Sequence, residues 1–409
     1  MRYEWGVETR YDVAIVGGGL VGLGTAFRLL EARPELRLTV IEKESGLARH
    51  QSGRNSGVLH AGLYYPPGSL KARLCREGKA QLEHFAEEHG IPFERPGKLV
   101  IATREEELAR LQALSERGRD NGLRDLEEMG PERLSEIEPH ASGLRALHVP
   151  ETGVVDFRRV ALGLAEEIRA RGGDVLVDRR VVGIVASGQW QVIDTVAGPV
   201  HARAIITCAG LHSDRVAAMT HSNGAERIVP FRGGFGVLRP AARHLVRGLI
   251  YPVPDPALPF LGIHLTRRID GEVWAGPSAA PAFSREGYRR WQVSPRDLAA
   301  SIAFRGSRRL ARRHWRAGLR ELWRDLSLPA FVGECRRYVP ELRARDVRWG
   351  PAGIRAQAVG VDGTLVDDFS IQESDRVLHV RNAPSPAATA CLAIGSTLSE
   401  RAIERFDLR

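Results

Sequence analysis

The stretch YDVAIVGGGLVGLGTAFRLLEARPELRLTVIE, residues 11–42, decides the fold of this chain. It begins with an apolar run that predicts a buried parallel strand, continues with an apolar periodicity typical of a helix, and closes on a second apolar run that ends at Glu42. Between the first strand and the helix, Gly17, Gly19 and Gly22 set the spacing G-x-G-x-x-G. A strand, a glycine-rich turn, a helix and a second strand in this order predict a Rossmann-like dinucleotide-binding unit.

Each part of this stretch has a physical role in such a unit. Gly17 permits the tight turn, Gly19 lets a diphosphate approach the backbone, and Gly22 lets the helix pack closely on the strand. The start of the helix offers unpaired amides and the positive end of its dipole to the phosphates. Glu42 stands 20 positions after Gly22 and can accept hydrogen bonds from a ribose hydroxyl. An acid at this position favours FAD or NAD over a 2′-phosphorylated dinucleotide.

Length and composition limit the remaining choices. A chain of 409 residues with 43% hydrophobic residues predicts two domains with packed cores. No segment approaches the ~20 apolar residues of a membrane span, and the first ten residues lack the apolar core of a signal peptide. The four cysteines are scattered, and no pair has the spacing of a metal site or a redox motif, so we expect no metal and a reduced, cytoplasmic setting.

The chain is basic, with a formal charge of +9. The excess is consistent with a solvated basic surface, with steering of an anionic substrate, or with attraction to an anionic membrane face or nucleic acid. No nucleic-acid-binding module is recognisable, so we expect no nucleic-acid partner. Residues 307–326 form a basic amphipathic pattern that predicts either an ordinary surface helix or peripheral contact with the inner face of a membrane.

Three further stretches carry a family resemblance. They are HQSGRNSGVLHAGLYYPPGSLKARLCREG (residues 50–78), IYPVPDPALPFLGIHLTRRIDGEVWAGPSA (250–279), and PAGIRAQAVGVDGTLVDDF followed by HVRNAPSPAATACLAIG (351–369 and 379–395). Together with the N-terminal fingerprint they resemble the L-2-hydroxyglutarate dehydrogenases or oxidases, within the D-amino-acid-oxidase-like flavoprotein superfamily. The resemblance extends over roughly residues 11–395 and is weakest in 105–138, 231–247 and 307–342.

The resemblance implies an α/β and α+β architecture. A discontinuous Rossmann-like FAD-binding domain would comprise residues 11–94, 156–225 and 346–409, and a substrate domain on a mainly antiparallel sheet would comprise 95–155 and 226–345. The FAD would be non-covalent, because no cysteine stands at a recognisable linkage position. The residues expected to contact it are Gly17, Gly19, Leu20, Val21, Gly22, Glu42, Lys43, His50, Ser52, Arg54, Asn55, Ser56, Gly57, Val182, Ala209, Gly210, Gly353, Pro386 and Thr389.

The resemblance also implies three catalytic side chains. Arg355 would grip the substrate carboxylate with its planar guanidinium. His60 would lie near the isoalloxazine and His264 would face the substrate, and either could take the hydroxyl proton. From the residues alone, a buried structural role is the favoured interpretation of both histidines. The family pattern is broken at Gly234, where an acidic residue is expected after Arg-Gly, and at Ser278, where asparagine is expected.

The function implied is oxidation of L-2-hydroxyglutarate to 2-oxoglutarate, a small dicarboxylate, by hydride transfer from Cα to flavin N5. Oxygen or a quinone would accept the electrons. Two alternatives stay open: a related amine oxidase acting on glycine, sarcosine or a D-amino acid, and a flavoprotein binding module without turnover. The sequence identifies no residue for the far carboxylate of the substrate.

Overall fold

The computed structural model describes residues 10–222, 224–256 and 261–408. Part of the 250–279 stretch and most of the N-terminal segment considered for a signal peptide therefore lie outside the described residues. By its internal contacts the chain separates into two compact units. Unit 1 is formed by the described residues of Met1–Gly53, Phe157–Ile228 and Val366–Arg409, and unit 2 by those of Arg54–Asp156 and Val229–Leu365.

The strands follow the chain in this order: β1 Arg10–Val16, β2 Leu38–Ile41, β3 Val58–Leu59, β4 Phe93–Glu94, β5 Lys98–Ala102, β6 Glu127–Met129, β7 Arg145–Val149, β8 Gly153–Val155, β9 Asp174–Leu176, β10 Val181–Ser187, β11 Trp190–Thr195, β12 Gly198–Thr207, β13 Arg227–Leu238, β14 Leu249–Pro252, β15 His264–Arg267, β16 Val273–Gly276, β17 Ala280–Pro281, β18 Val347–Val359, β19 Ser370–Glu373 and β20 Val377–Asn382.

The helices are α1 Leu20–Ala32, α2 Leu70–Glu88, α3 Glu105–Asp120, α4 Pro131–Ile137, α5 Phe157–Ala170, α6 Ser213–Ala218, α7 Pro295–Ala303, α8 Arg305–Leu326, α9 Leu328–Cys335 and α10 Cys391–Phe406. Within the described part of the chain, no helix combines the length and apolar character needed to cross a bilayer. All four cysteines are free thiols. The reduced, cytoplasmic setting stays a prediction.

Unit 1 is built on a parallel sheet. Five strands run parallel in the order β20-β12-β1-β2-β9, and β11 and β10 continue from the first half of β12 as an antiparallel meander. Strand β2 is buried along its whole length, as expected for a central parallel strand. Helices α1 and α10 cross so closely that a Cβ on Gly24 would lie 2.7 Å from the carbonyl oxygen of Cys391. The predicted Rossmann-like architecture is therefore confirmed.

Unit 2 is built on a nine-stranded sheet that is mainly antiparallel, also as predicted. Its order is β17-β13-β16-β15-β14-β5-β7-β6, with β18 paired to β13, and β14 runs parallel to β5. The alternation of side chains along β5 gives the sheet two apolar faces. Leu99 and Ile101 join one buried cluster, and Val100 and Ala102 join another.

The boundaries of the units differ from the expected domain segments. Residues 54–94 and 346–365, which we expected in the FAD-binding domain, lie in unit 2. The physical reason is strand pairing: β3 and β4 both pair with β8, and β18 pairs with β13. The expected assignment of these two segments to the cofactor domain stays a prediction.

A buried ion pair explains the two departures from the family pattern. Arg232 on β13 lies 2.6 Å from Asp325 Oδ2 on α8, and both side chains are almost fully buried. The Ser278 hydroxyl donates to Asp325 Oδ1 (2.9 Å) and accepts from the Gly234 amide (2.9 Å). A Cβ on Gly234 would overlap Asp325 Oδ1. Because residue 234 is a glycine, the space beside it can hold the Asp325 carboxylate of α8.

We predict that Asp325→Ala destabilises the protein by about 3–5 kcal/mol, because it leaves the Arg232 guanidinium buried without its carboxylate. Urea unfolding of the apoprotein measures the change. Asp375→Ala, which removes a solvated partner of Arg405, is the matched control and should leave the unfolding midpoint unchanged. Equal effects of the two substitutions would contradict the assignment.

Candidate active site

The glycine-rich turn of unit 1 is held by backbone contacts that exclude side chains. Gly17 adopts a φ of +121°, and a Cβ there would overlap the carbonyl oxygen of Cys208 at the end of β12. A Cβ on Gly22 would overlap the carbonyl oxygen of Gly17. Only glycine permits both approaches. Ala209 and Gly210 follow Cys208 directly, so the structure brings these two predicted cofactor residues beside the turn.

The amino end of α1 is joined to the loop that carries Ser52. The Leu20 amide donates to Ser52 Oγ (2.9 Å), and a Cβ on Gly19 would stand only 3.0 Å from the same oxygen. Glycine at 19 therefore lets the loop come close to the first turn of the helix, where Val21 follows. This end of α1 carries amides and the positive end of the helix dipole, and it suits an anionic group such as a diphosphate.

Glu42 ends β2 and is buried. Its Oε2 accepts from the Gly18 amide (2.8 Å) and its Oε1 from the Glu44 amide (2.9 Å). Each carboxylate oxygen can accept a second hydrogen bond, so the carboxylate can still bind a ribose hydroxyl. The next side chains form a polar cluster, because the Glu44 carboxylate binds both Lys43 and His50. The hydrogen bond from Lys43 is the main reason that the pKa of Glu44 is lowered.

Three further predicted contacts of unit 1 lie away from the glycine-rich turn. Val182 is 49% exposed on β10, beside an irregularity in the pairing with β11. Pro386 and Thr389 lie between β20 and α10, which begins at Cys391, and Thr389 is fully buried. The contact of all three with FAD stays a prediction.

The loop after Ser52 belongs to unit 2 from Arg54 onwards. Asn55 accepts a hydrogen bond from the Gly57 amide (2.9 Å), and Ser56 lies between these two residues. A Cβ on Gly353 would overlap the Arg54 carbonyl oxygen, so β18 and this loop touch through their backbones. The structure thus brings two separately predicted cofactor segments, 54–57 and 353, into contact.

His264, the first residue of β15, is held in one orientation. Its ring stacks on Tyr251, with centroids 4.0 Å apart and planes inclined by 22°. Its Nδ1 lies 3.1 Å from the Gly262 carbonyl oxygen. A carbonyl oxygen can only accept, so Nδ1 carries the proton and the neutral ring presents an unprotonated Nε2. Burial lowers the pKa of His264 to about 4, and the ring is neutral at pH 7.

His60 and Lys98 belong to the same cluster. Burial lowers the pKa of His60 to about 3, and the positive charges of Lys98 and His264 contribute to that shift. Burial likewise lowers the pKa of Lys98 to about 7. The thiol of Cys75 on α2 donates to the His60 carbonyl oxygen (3.2 Å) and fixes the backbone there. Lys98 is a site residue that the sequence analysis missed, because the pattern KLVIA indicates only a strand.

Arg355 lies on β18, exposed, whereas its neighbour Ile354 is buried. Its positive charge contributes to the lowered pKa of His264, after the larger effect of burial. Unit 2 therefore combines a neutral imidazole with an exposed guanidinium and a buried lysine. Such a set can bind an anionic substrate and accept a proton from its hydroxyl group.

Comparison with known proteins places this geometry in a family. Residues 12–401 match the family described as DAO, FAD dependent oxidoreductase. The L-2-hydroxyglutarate dehydrogenase, mitochondrial, of Nematostella vectensis is 47% identical, with 97% of this chain and 91% of the relative covered. The L-2-hydroxyglutarate dehydrogenase of Indibacter alkaliphilus is 44% identical, with 97% of this chain and 100% of the relative covered.

Solved structures agree at the level of the fold. L-alpha-glycerophosphate oxidase from Mycoplasma pneumoniae with FAD bound superposes with a TM-score of 0.78 at 22% identity, covering 98% of this chain and 96% of that one. Glycine oxidase from Geobacillus kaustophilus gives a TM-score of 0.71 at 21% identity, covering 97% and 95%. From the family match over nearly its full length, the chain belongs to the DAO family of FAD-dependent oxidoreductases.

Proposed function

We propose that the chain oxidises L-2-hydroxyglutarate to 2-oxoglutarate with FAD as its cofactor. The observation that carries the proposal is the cluster of unit 2, where neutral His264 adjoins basic groups and no carboxylate contributes to the pKa of His60, Lys98 or His264. Basic side chains beside a neutral imidazole suit a substrate with two carboxylates. The names of relatives at 44–47% identity agree with this substrate.

The residues of unit 1 fit FAD. The backbone cradle of Gly17 and Gly22, the amino end of α1 and the Glu42 carboxylate would hold the diphosphate and a ribose. Cys75, Cys335 and Cys391 are buried thiols, which agrees with a non-covalent cofactor. When bound, FAD supplies the acceptor for the two electrons and the hydrogen that leave Cα of the substrate.

We assign the general base to His264. Its Nδ1 is committed to the Gly262 carbonyl oxygen, so its unprotonated Nε2 can accept the substrate hydroxyl proton. The stack on Tyr251 keeps the ring from turning away. Arg355 would bind the carboxylate next to the reacting carbon through two parallel hydrogen bonds, and so orient the hydroxyl toward the base. His60 would then take no part in proton transfer, and its imidazole would stay neutral because its pKa is lowered to about 3.

The amine-oxidase alternative shares the fold but not the favoured substrate. Glycine oxidase resembles the chain at only 21% identity, which bears on the fold alone. An amine substrate with one carboxylate would supply the basic cluster of unit 2 with only one negative charge. A hydroxy dicarboxylate would supply two negative charges to the basic cluster, and we therefore favour that class of substrate.

We further propose that α8 contacts an anionic membrane surface and that the electron acceptor is a membrane quinone. After an irregular residue at His314, α8 exposes an apolar ridge spaced by four residues and flanked by arginines. The ridge consists of Trp315, Leu319 and Trp323, which are 55%, 58% and 63% exposed. The exposed Arg312, Arg316 and Arg320 are its flanking cations. Free oxygen is the alternative acceptor.

The proposed reaction is tested with the purified holoprotein under anaerobic conditions. L-2-Hydroxyglutarate should bleach the visible flavin band, and the D isomer and glycine should leave it unchanged. Bleaching by glycine alone would support the amine-oxidase alternative. A flavin that none of the three reduces, but that a chemical reductant does reduce, would support a binding module without turnover.

His264→Gln should lower kcat roughly 10²–10⁴-fold, since it removes the proton acceptor. His60→Gln should lower it less than tenfold. Because the pKa of His264 is about 4 and the base acts unprotonated, kcat of the wild type should stay level from pH 8 down to pH 5.5. A loss under tenfold in His264→Gln, or an acidic fall of kcat centred near 6.5, would contradict the assignment.

Membrane contact predicts sedimentation of the holoprotein with vesicles of phosphatidylcholine and phosphatidylglycerol, but not with phosphatidylcholine alone. Trp323→Ser should weaken that binding roughly tenfold, because an exposed indole inserts apolar surface at the interface. Trp291→Ser, at an indole that is 81% exposed outside α8, is the control and should bind as the wild type does. Equal sedimentation with both vesicle types, or with neither, would overturn the proposal.

A further inference from the structure

Lys98 is buried without a counter-ion. The side chain is 1% exposed at the start of β5, and among the described residues it forms no hydrogen bond or ion pair. Its Nζ lies instead over the rings of Tyr64 (4.4 Å to the centroid) and Tyr251 (5.2 Å). Within unit 2, Lys79 shows the contrast, because this other buried lysine is paired with Glu83 at 2.8 Å.

Such an arrangement is unfavourable in the free protein. Removing an ammonium from water costs several kcal/mol unless a partner charge or hydrogen bonds replace the solvent. The aromatic faces return only part of this. The hydroxyl group of Tyr64 is also buried without a hydrogen-bond partner among the described residues, whereas that of Tyr251 lies near the Thr266 hydroxyl. An anionic ligand would satisfy both the ammonium of Lys98 and the phenolic donor of Tyr64.

Strand register places Lys98 on the same sheet face as the proposed base. Lys98 pairs with Leu249 on β14, and Tyr251, two residues on, lies on the same face. The ring of Tyr251 then stacks on His264. Tyr251 therefore contacts both residues. The Lys98 Nζ lies 5.2 Å from the centroid of its ring, and the centroid of the His264 ring lies 4.0 Å from it.

Two cations act on His264. The charges of Lys98 and Arg355 both lower its pKa, after the larger effect of burial. Lys98 lies on β5, on the sheet face of Tyr251 and His264, whereas Arg355 lies on β18, which pairs with β13 in the same sheet. A ligand beside His264 can therefore meet cations from two different strands.

We propose that Lys98 binds the second carboxylate of the substrate, the one farther from the reacting carbon, with Arg355 on the first. The assignment rests on the proposed function, in which a dicarboxylate is oxidised beside His264. It makes Lys98 the residue that selects dicarboxylates over 2-hydroxy acids with a single carboxylate. The phenolic group of Tyr64 completes the carboxylate site as a neutral donor.

The test compares Lys98→Met with the wild-type holoenzyme on two substrates, L-2-hydroxyglutarate and the monocarboxylate L-2-hydroxyvalerate, with an artificial dye as acceptor. Loss of a charged hydrogen bond should lower kcat/KM for the dicarboxylate about 10- to 100-fold, mainly through KM. For the monocarboxylate, kcat/KM should change less than threefold. Equal losses on both substrates, or a loss in kcat alone, would overturn the proposal, since they indicate a role in chemistry or in folding.

Two further measurements separate binding from a structural role. Methionine fills similar volume without a charge, so thermal unfolding of the Lys98→Met apoprotein should be unchanged or shifted upward, whereas a structural lysine would shift it downward. In the wild type, kcat/KM for the dicarboxylate should fall as pH rises above about 7, the pKa of Lys98, because only the protonated amine is a cation. Lys98→Arg should remove that fall, and its persistence would contradict the assignment.

Failure of the proposed reaction can be told apart from failure of this site. Glutarate lacks the hydroxyl group, and its binding to the holoprotein by calorimetry needs no turnover. If L-2-hydroxyglutarate is not oxidised but glutarate binds the wild type at least tenfold more tightly than Lys98→Met, the carboxylate site stands and the reaction is wrong. If L-2-hydroxyglutarate is oxidised while glutarate binds both proteins equally, the site is wrong and the reaction stands.

Discussion

Burial of basic groups without an acidic counterpart is the constraint on which the chemistry of unit 2 depends. Lys98 and His264 are buried and His60 is partly buried, and no carboxylate of the described residues contributes to the pKa of any of them. Desolvation drives each group toward its neutral form. Two neutral imidazoles at pH 7 are the result, and one of them has a free Nε2. Because the same desolvation disfavours the protonated form of Lys98, a dianionic substrate bound beside it would stabilise that form.

The candidate cofactor site of unit 1 differs from this cluster, because it is formed mainly by backbone groups and not by charged side chains. Gly17, Gly22 and the end of β12 approach one another at distances that no side chain could tolerate. This approach leaves the amino end of α1 open to an anionic group, with Glu42 at the end of the neighbouring strand. Under the proposed function, unit 1 would hold the dinucleotide and unit 2 would supply basic groups that bind the substrate.

Much of this could be predicted from local sequence patterns. The spacing of Gly17, Gly19 and Gly22 predicts the cradle because each glycine acts within one strand-turn-helix segment. The family resemblance named His60, His264 and Arg355, which the structure brings into unit 2. It could not separate the two histidines, since the Gly262 carbonyl that fixes the tautomer of His264 is visible only in three dimensions.

The features that sequence analysis missed depend on contacts between distant parts of the chain. The sequence around Lys98 predicts only the start of a strand, and the pairing of β5 with β14 is needed to show that Lys98 is buried beside Tyr251. Gly234 departs from the family pattern in sequence, and the structure gives the reason: the Asp325 carboxylate occupies the space that a side chain at 234 would need. Segments 54–94 and 346–365 follow their strand partners into unit 2.

The central claim is that the basic cluster of unit 2 is built for a ligand with two negative charges. The most direct test titrates the oxidised holoprotein at pH 6.5 with glutarate and, separately, with butyrate, and follows the visible flavin band. A second charged hydrogen bond contributes about 1.5–3 kcal/mol, so glutarate should bind roughly 10- to 100-fold more tightly than butyrate. Equal dissociation constants for the two acids would contradict the account.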